Sequence, residues 1–318
     1  MMGHDHHHAE HKHTHSHSHS HSLDSLPDPS TFNMAFGLSI GLNLTFALIE
    51  AFYAIVANSS SLLADAVHNL GDVLGLALAW GANWLLTRPS SNRYSYGYKR
   101  TTILAALINA LLLIVTSLLI AYDAFYKLLN PSPIQETTVI IVAMIGILIN
   151  GGTALLFKRK HHSDINIKGA YLHLLYDALI SVGVVIVAIA VKYTQWVWLD
   201  PIVGLVIVVI ILLGTRGLLR DSTHLVLDAV PRKIDQAAVK TYLLQFPGVQ
   251  EVHDFHIWSL STREVALTAH LVMPEKPLSD PDHQTIAAEL KTRFDIHHVT
   301  LQVERSNTAG PCALEGKC

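Results

Sequence analysis

Six apolar runs, each close to the roughly 20 residues that cross a bilayer as a helix, limit what this chain can fold into. They cover approximately Phe32–Val56, Leu62–Leu86, Thr101–Leu128, Val139–Phe157, Gly169–Lys192 and Leu199–Leu213. Inside hydrocarbon the backbone N–H and C=O groups have no water to bond, so isolated runs of this length must close their hydrogen bonds as helices. Composition agrees, since of 318 residues 50% are hydrophobic and only 15% charged. With a mean hydropathy of +0.35, this is expected to be an integral membrane protein with a soluble part. A net charge of −3 gives no support for nucleic-acid binding. The two cysteines, Cys312 and Cys318, both fall in the last seven residues, which excludes a disulfide framework for the body of the protein. The first 31 residues are polar and do not read as a cleavable signal peptide, so insertion is expected to rely on the first span.

Charge between the runs sets a topology. Arg88, Arg93, Lys99 and Arg100 separate runs two and three, Lys158, Arg159, Lys160 and Lys168 separate four and five, and Arg216 and Arg220 follow six. The alternate loops hold nothing basic or only Lys127 and Lys192 at helix ends. By the positive-inside rule the basic loops and both termini are cytoplasmic.

Polar residues within the spans are costly and therefore informative, about 2.5–3.5 kcal/mol for a central Asp on insertion scales. In Ser61-Leu-Leu-Ala-Asp-Ala-Val-His-Asn-Leu-Gly-Asp72, His68 and Asp72 stand four apart, and Ala170-Tyr-Leu-His-Leu-Leu-Tyr-Asp177 repeats the spacing with His173 and Asp177. Residues at i and i+4 share a helix face. Two such helices facing each other present two imidazoles and two carboxylates to one point, a donor set suited to a tetrahedral divalent ion, zinc first. Asp65 shares the face of His68, either as an acceptor that orients the imidazole or as part of a water-lined vestibule. Glu50, Asn69 and Asn109 read as interhelical hydrogen-bonding groups or as residues near an interface.

Residues 1–22 carry ten histidines, His4 to His21, and end in His-Ser alternation. Such a tract cannot build a core. It reads as a weak multivalent trap for soft or borderline cations, or as a tag or neutral polar tail. Beyond Arg220 the pattern is that of a soluble domain. Helices are expected over Ile234–Phe246 and Pro281–Phe294, and strands over Val249–Ser259, Glu264–Met273 and Val299–Glu304. The order αββαβ suggests a two-layer sandwich of ferredoxin-like type. Strand alternation places His253 and His256 on opposite faces, so that they cannot share a site.

Taken together, His68-x-x-x-Asp72, His173-Leu-Leu-Tyr-Asp177, Tyr94-Ser-Tyr-Gly-Tyr-Lys-Arg100, Val252-His-Asp-Phe-His-Ile-Trp258 and Val299-Thr-Leu-Gln-Val-Glu304 resemble the cation diffusion facilitator family of zinc transporters, over essentially residues 32–306. The resemblance implies a membrane all-α six-helix domain plus a cytoplasmic α+β ferredoxin-like (αββαβ) domain, assembled as a homodimer in the lipid bilayer. The division expected is 1–31 for the His-rich tail, 32–216 for the spans, 217–306 for the metal-binding dimerisation domain and 307–318 for the cysteine-containing tail. It also implies that His68, Asp72, His173 and Asp177 form the transport site, with histidine at 68 going with zinc over cadmium. A cytoplasmic zinc site is implied from His253, His270, His297 and Glu304, with His283 and the tail cysteines Cys312 and Cys318 as further members. No metal site is expected in the loop Asn92–Tyr98. Arg100 and Asp228 match an ion pair near the dimer interface of a bacterial member, or are plain anchoring charges.

The expected function is export of cytoplasmic Zn2+ in exchange for H+, with Cd2+ as a secondary substrate. Alternatives are an exporter of cadmium, cobalt, nickel or iron, and a membrane zinc sensor or buffer that does not transport. An intramembrane metalloprotease is excluded because both pairs are HxxxD and HExxH is absent, so no enzyme is expected. Compact length and short loops point to a bacterial inner membrane.

Overall fold

The computed structural model describes residues 34–157 and 165–305, with side chains over 41–155 and 171–305. The His4–His21 tract, Lys158, Arg159, Lys160, the Lys168 side chain and Cys312 and Cys318 lie outside the described residues. The chain runs α1 (Met34–Val56), α2 (Ser60–Leu86), α3 (Thr101–Leu129), α4 (Glu136–Phe157), α5 (Ile165–Thr194), α6 (Leu199–Val226), α7 (Gln236–Leu244), β1 (Glu251–Ser259), β2 (Val265–Val272), α8 (Asp280–Phe294) and β3 (His298–Glu304).

Among the described residues, five helices, α2 to α6, are long and apolar enough to cross a membrane, and the described apolar stretch of α1, Gly41–Val56, is shorter. Least apolar of the five is α2, the helix that carries Asp65, His68, Asn69 and Asp72. Helix α6 continues past Arg216 and Arg220 to Val226, so these two basic residues are helical and not in a connecting loop. Outward-facing Phe52, Leu119, Leu148 and Leu213 are exposed, as side chains facing lipid should be, whereas Ala54, Ala64, Ala143, Ala188 and Gly204 line the helix contacts. Small residues allow close backbone approach where lipid provides no hydrophobic drive for helix association. Gly204 of α6 shows this directly, because a Cβ there would lie 2.9 Å from the Ser60 carbonyl oxygen.

The α1–α2 turn explains that contact. Asn58 takes φ 57°, the left-handed conformation that often ends a helix, and Ser59 caps α2 by accepting from the Leu62 N–H at 3.2 Å. Asp200, buried in the first turn of α6, accepts from Ser59 Oγ and the Ser60 N–H at 2.6 Å each and from Ser61 Oγ at 2.5 Å. Ser60 Oγ in turn donates to Asp123 of α3 at 2.8 Å, and Lys127 closes the set on Asp123. Asp200→Ala removes the shared acceptor of three buried donors, and a loss of roughly 3–5 kcal/mol is expected. A thermal melt in detergent checks this; an unchanged melting temperature would show that the network carries no stability.

The C-terminal unit is a three-stranded sheet in the order β1-β2-β3, with β1 antiparallel and β3 parallel to β2. Helices α7 and α8 cover one face through Val239, Leu243, Ile286 and Leu290, packed on Val252, Ile257, Leu267 and Leu271. Val252 and Ile257 are five residues apart yet share the core face, because a β-bulge shifts the register between His253 and His256. Asp254 sits in it at φ 45°. The bulge overturns the alternation expected for this strand. His253 pairs with His270 and His256 with Thr268, so both histidines lie on the face that the helices leave open.

Turn residues join the two parts. Lys99 pairs with Glu264, Arg100 Nη2 lies 2.6 Å from Asp228 Oδ1, and the Thr262 N–H donates to Thr102 Oγ1 at 3.1 Å. The ring of Tyr96 meets His298 edge-on at 5.5 Å.

Candidate metal centres

Helices α2 and α5 run antiparallel, and their polar residues meet as successive rungs. Ser181 Oγ donates to Asp65 Oδ2 at 2.7 Å. One turn along, His68 Nε2 lies 3.4 Å from Asp177 Oδ1, and in the next His173 Nε2 lies 3.1 Å from Asp72 Oδ2. Along each helix, His68 to Asp72 is 3.8 Å on α2 and His173 to Asp177 is 3.6 Å on α5. A tetrahedron with metal–ligand bonds of about 2.0–2.2 Å has edges of about 3.3–3.6 Å. These four separations bracket that edge, although the His68 and His173 contacts use different Asp177 oxygens, and His173 stands at the margin of the group with its ring centroid 6.1 Å from that of His68. His68, Asp72 and Asp177 already have donor atoms within 4.8 Å of one another. The buried His68 Nδ1 has no hydrogen-bond partner among the described residues.

Asp65 is fully buried and accepts from Ser181. It is therefore a tie from α2 to α5, not an acceptor for the His68 ring, and it holds the rungs in register. Glu50, fully buried on α1, accepts from Asn69 Nδ2 at 3.0 Å, an interhelical bond of the kind expected. Asn109 differs: it lies against Gly75, where a Cβ would come within 2.7 Å of its Nδ2, and its Oδ1 has no partner among the described residues.

A second cluster lies on the open face of the sheet. Glu304 Oε2 is 3.2 Å from His253 Nε2, and its Oε1 is 3.0 Å from His270 Nδ1. Donor atoms of these three residues all lie within 4.8 Å of one another, and two imidazoles with a carboxylate form a zinc-type set. His283 is not in it. It belongs to α8, across the sheet on the covered face. His297 also stands apart, with its N–H on the Val265 carbonyl and its ring 3.4 Å from Asp295. The seven-residue strand β3 separates it from Glu304 by roughly 23 Å. Asp254, which the sequence reading passed over, lies between His270 (3.2 Å) and His256 (2.9 Å). Its signal was its place between two histidines in a strand.

Fold and sites together define a multi-pass membrane protein that handles metal cations. Residues 37–227 match the family described as the cation efflux transmembrane domain, and 231–306 the cation efflux protein, cytoplasmic domain. Cation efflux system protein CzcD of Alcaligenes sp. (strain CT14) is 36% identical over 271 residues, 84% of this chain and 85% of that protein. Zinc transporter ZitB of Escherichia coli (strain K12) is 32% identical over 282 residues, 87% and 88% of the two chains. A cadmium, cobalt and zinc/H(+)-K(+) antiporter of Bacillus subtilis (strain 168) is 32% identical over 264 residues, 81% and 85%. The chain belongs to the cation diffusion facilitator family, and it is a metal cation efflux transporter.

Proposed function

We propose that this protein exports cytoplasmic Zn2+ in exchange for protons, bound in transit by His68, Asp72, His173 and Asp177. The observation that carries this reading is the convergence of His68, Asp72 and Asp177, with donor atoms within 4.8 Å of one another, and of His173 beside them at 3.1 Å from Asp72 and 3.6 Å from Asp177. We take the protein as a homodimer with six spans per subunit and cytoplasmic termini, in a bacterial inner membrane. Its C-terminal αββαβ unit is assigned to the ferredoxin-like type. Supporting this are the basic loops, the relatives' names and the match to the family's cytoplasmic domain.

Zinc is held only by neutral imidazole and ionised carboxylate, so loading displaces protons from whichever donors carry them. Side-chain exposure runs from 39% at His173 and 18% at Asp72 to 11% at His68 and 5% at Asp177. The more open pair lies toward the end of the bundle where the C-terminal unit docks, which supports a centre loading from the cytoplasm. On the other side protons compete for the same donors and release the ion. His253, His270 and Glu304 would hold a resident zinc, and that ion would favour the dimer when zinc is high. The histidines from His4 to His21 would raise local zinc near the entrance.

The test is zinc uptake into inside-out vesicles or proteoliposomes. An acid interior should accelerate uptake and a protonophore should abolish the effect, while apparent zinc affinity should rise from about pH 6 to pH 8 as donors lose protons. Flux indifferent to the gradient would remove the exchange. The name of the Bacillus relative favours a broader reading, with cadmium and cobalt also carried, and competition by these ions in the same assay decides it.

A further inference from the structure

We propose that Asp254 is the positioning residue of the C-terminal metal centre, holding the Nε2–H of His270 so that Nδ1 faces the ion. The proposal rests on the reading that His253, His270 and Glu304 bind metal. A neutral imidazole has one N–H, and only its bare nitrogen ligates. His270 lies between two carboxylates, with Glu304 Oε1 3.0 Å from Nδ1 and Asp254 Oδ2 3.2 Å from Nε2. Both accept only, so the ring proton goes to one or the other. On Nδ1 it would bond Glu304 and occupy two of the three donors. On Nε2 it bonds Asp254 and leaves Nδ1 bare, directed at the point shared with Glu304 and His253 Nε2. Asp254 thus offsets the pull of Glu304.

The backbone is arranged for this. The bulge turns Asp254 to φ 45° and brings His253 and His256 onto one face. Asp and Asn are among the few side chains that tolerate the left-handed region. The other carboxylate oxygen, Oδ1, lies 2.9 Å from His256 Nε2, which orients the group. His253 follows the same plan more loosely, with Nε2 on Glu304 and Nδ1 3.7 Å from Glu251.

The test is a chelator competition for zinc, using the full chain in detergent with Asp72→Asn and Asp177→Asn in the background so that the intramembrane centre does not contribute. His253→Ala should remove one tight site per chain; if it removes none, the C-terminal metal reading is wrong and the proposal fails with it. Where that site is confirmed, Asp254→Asn and Asp254→Gly should each weaken it by roughly 10–100-fold. Both residues suit φ 45° and neither supplies a carboxylate, while the Asn amide can also donate to Nε2 and permit the wrong tautomer. Zinc affinity within about twofold of the parent in Asp254→Asn would overturn the proposal and leave Asp254 a bulge residue only.

Discussion

Zinc flux through Asp177→Ala falls to the background of empty vesicles. Asp177 is the most buried of the four intramembrane donors, with 5% of its side chain exposed, and its two oxygens face both imidazoles, His68 at 3.4 Å and His173 at 3.6 Å. Alanine removes a ligand and one of the two negative charges that offset the dication in low dielectric. Asp65 does not stand in for it, since its Oδ2 is held by Ser181 one turn away. Loss of an outer hydrogen-bonding partner already costs about 10–100-fold in metal affinity, so loss of this ligand should cost at least about 100-fold. Asp177→Asn separates charge from shape. It keeps the volume and one oxygen, and should retain the dimer and the melting temperature while still losing flux. The measurement is zinc-dependent fluorescence in proteoliposomes at matched protein density. Parental flux in Asp177→Ala, with the protein intact, would take the transported ion away from these four side chains.

The meeting of the two His/Asp pairs was legible in the sequence because membrane spans make polar residues conspicuous. His68, Asp72, His173 and Asp177 are expensive interruptions of apolar runs, and the helical repeat alone puts each pair on one face. The C-terminal centre was legible only in part. Strand alternation assumes that the register never slips, and at Asp254 it slips by one residue without the glycine that would have announced a left-handed position. That slip reverses the relation of His253 to His256. Histidine content also says nothing about which side of a sheet a helix covers, which is why His283 could not be separated from His270 before the core was seen. Asp200 was hidden for a different reason: a carboxylate at the end of a span reads as a boundary, and its three serine partners lie far away in sequence, across the α1–α2 turn.

His68→Asp keeps transport and changes its selectivity. The substitution replaces one imidazole with a third carboxylate, so the set passes from two nitrogen and two oxygen donors to one and three. Aspartate is also shorter than histidine, which draws its donor atom back toward α2 and enlarges the space between α2 and α5. The larger cadmium ion then meets a roomier site with more negative charge, while zinc loses the compact mixed set that suits a tetrahedral borderline ion. The neighbouring rung stays in place, since Asp65 and Ser181 hold α2 to α5 one turn away, so the helices should not separate. The expected result is a ratio of zinc to cadmium flux lower by about tenfold, an energy difference of about 1.4 kcal/mol between the two bound ions. The pH dependence should change with it, because one imidazole that zinc must find unprotonated has been removed. Both are read from the same vesicles by offering each metal alone and then in competition at two pH values. An unchanged metal ratio would mean that the first ligand does not set selectivity here, and the search would move to the geometry imposed by His173 and by the Asp65–Ser181 tie.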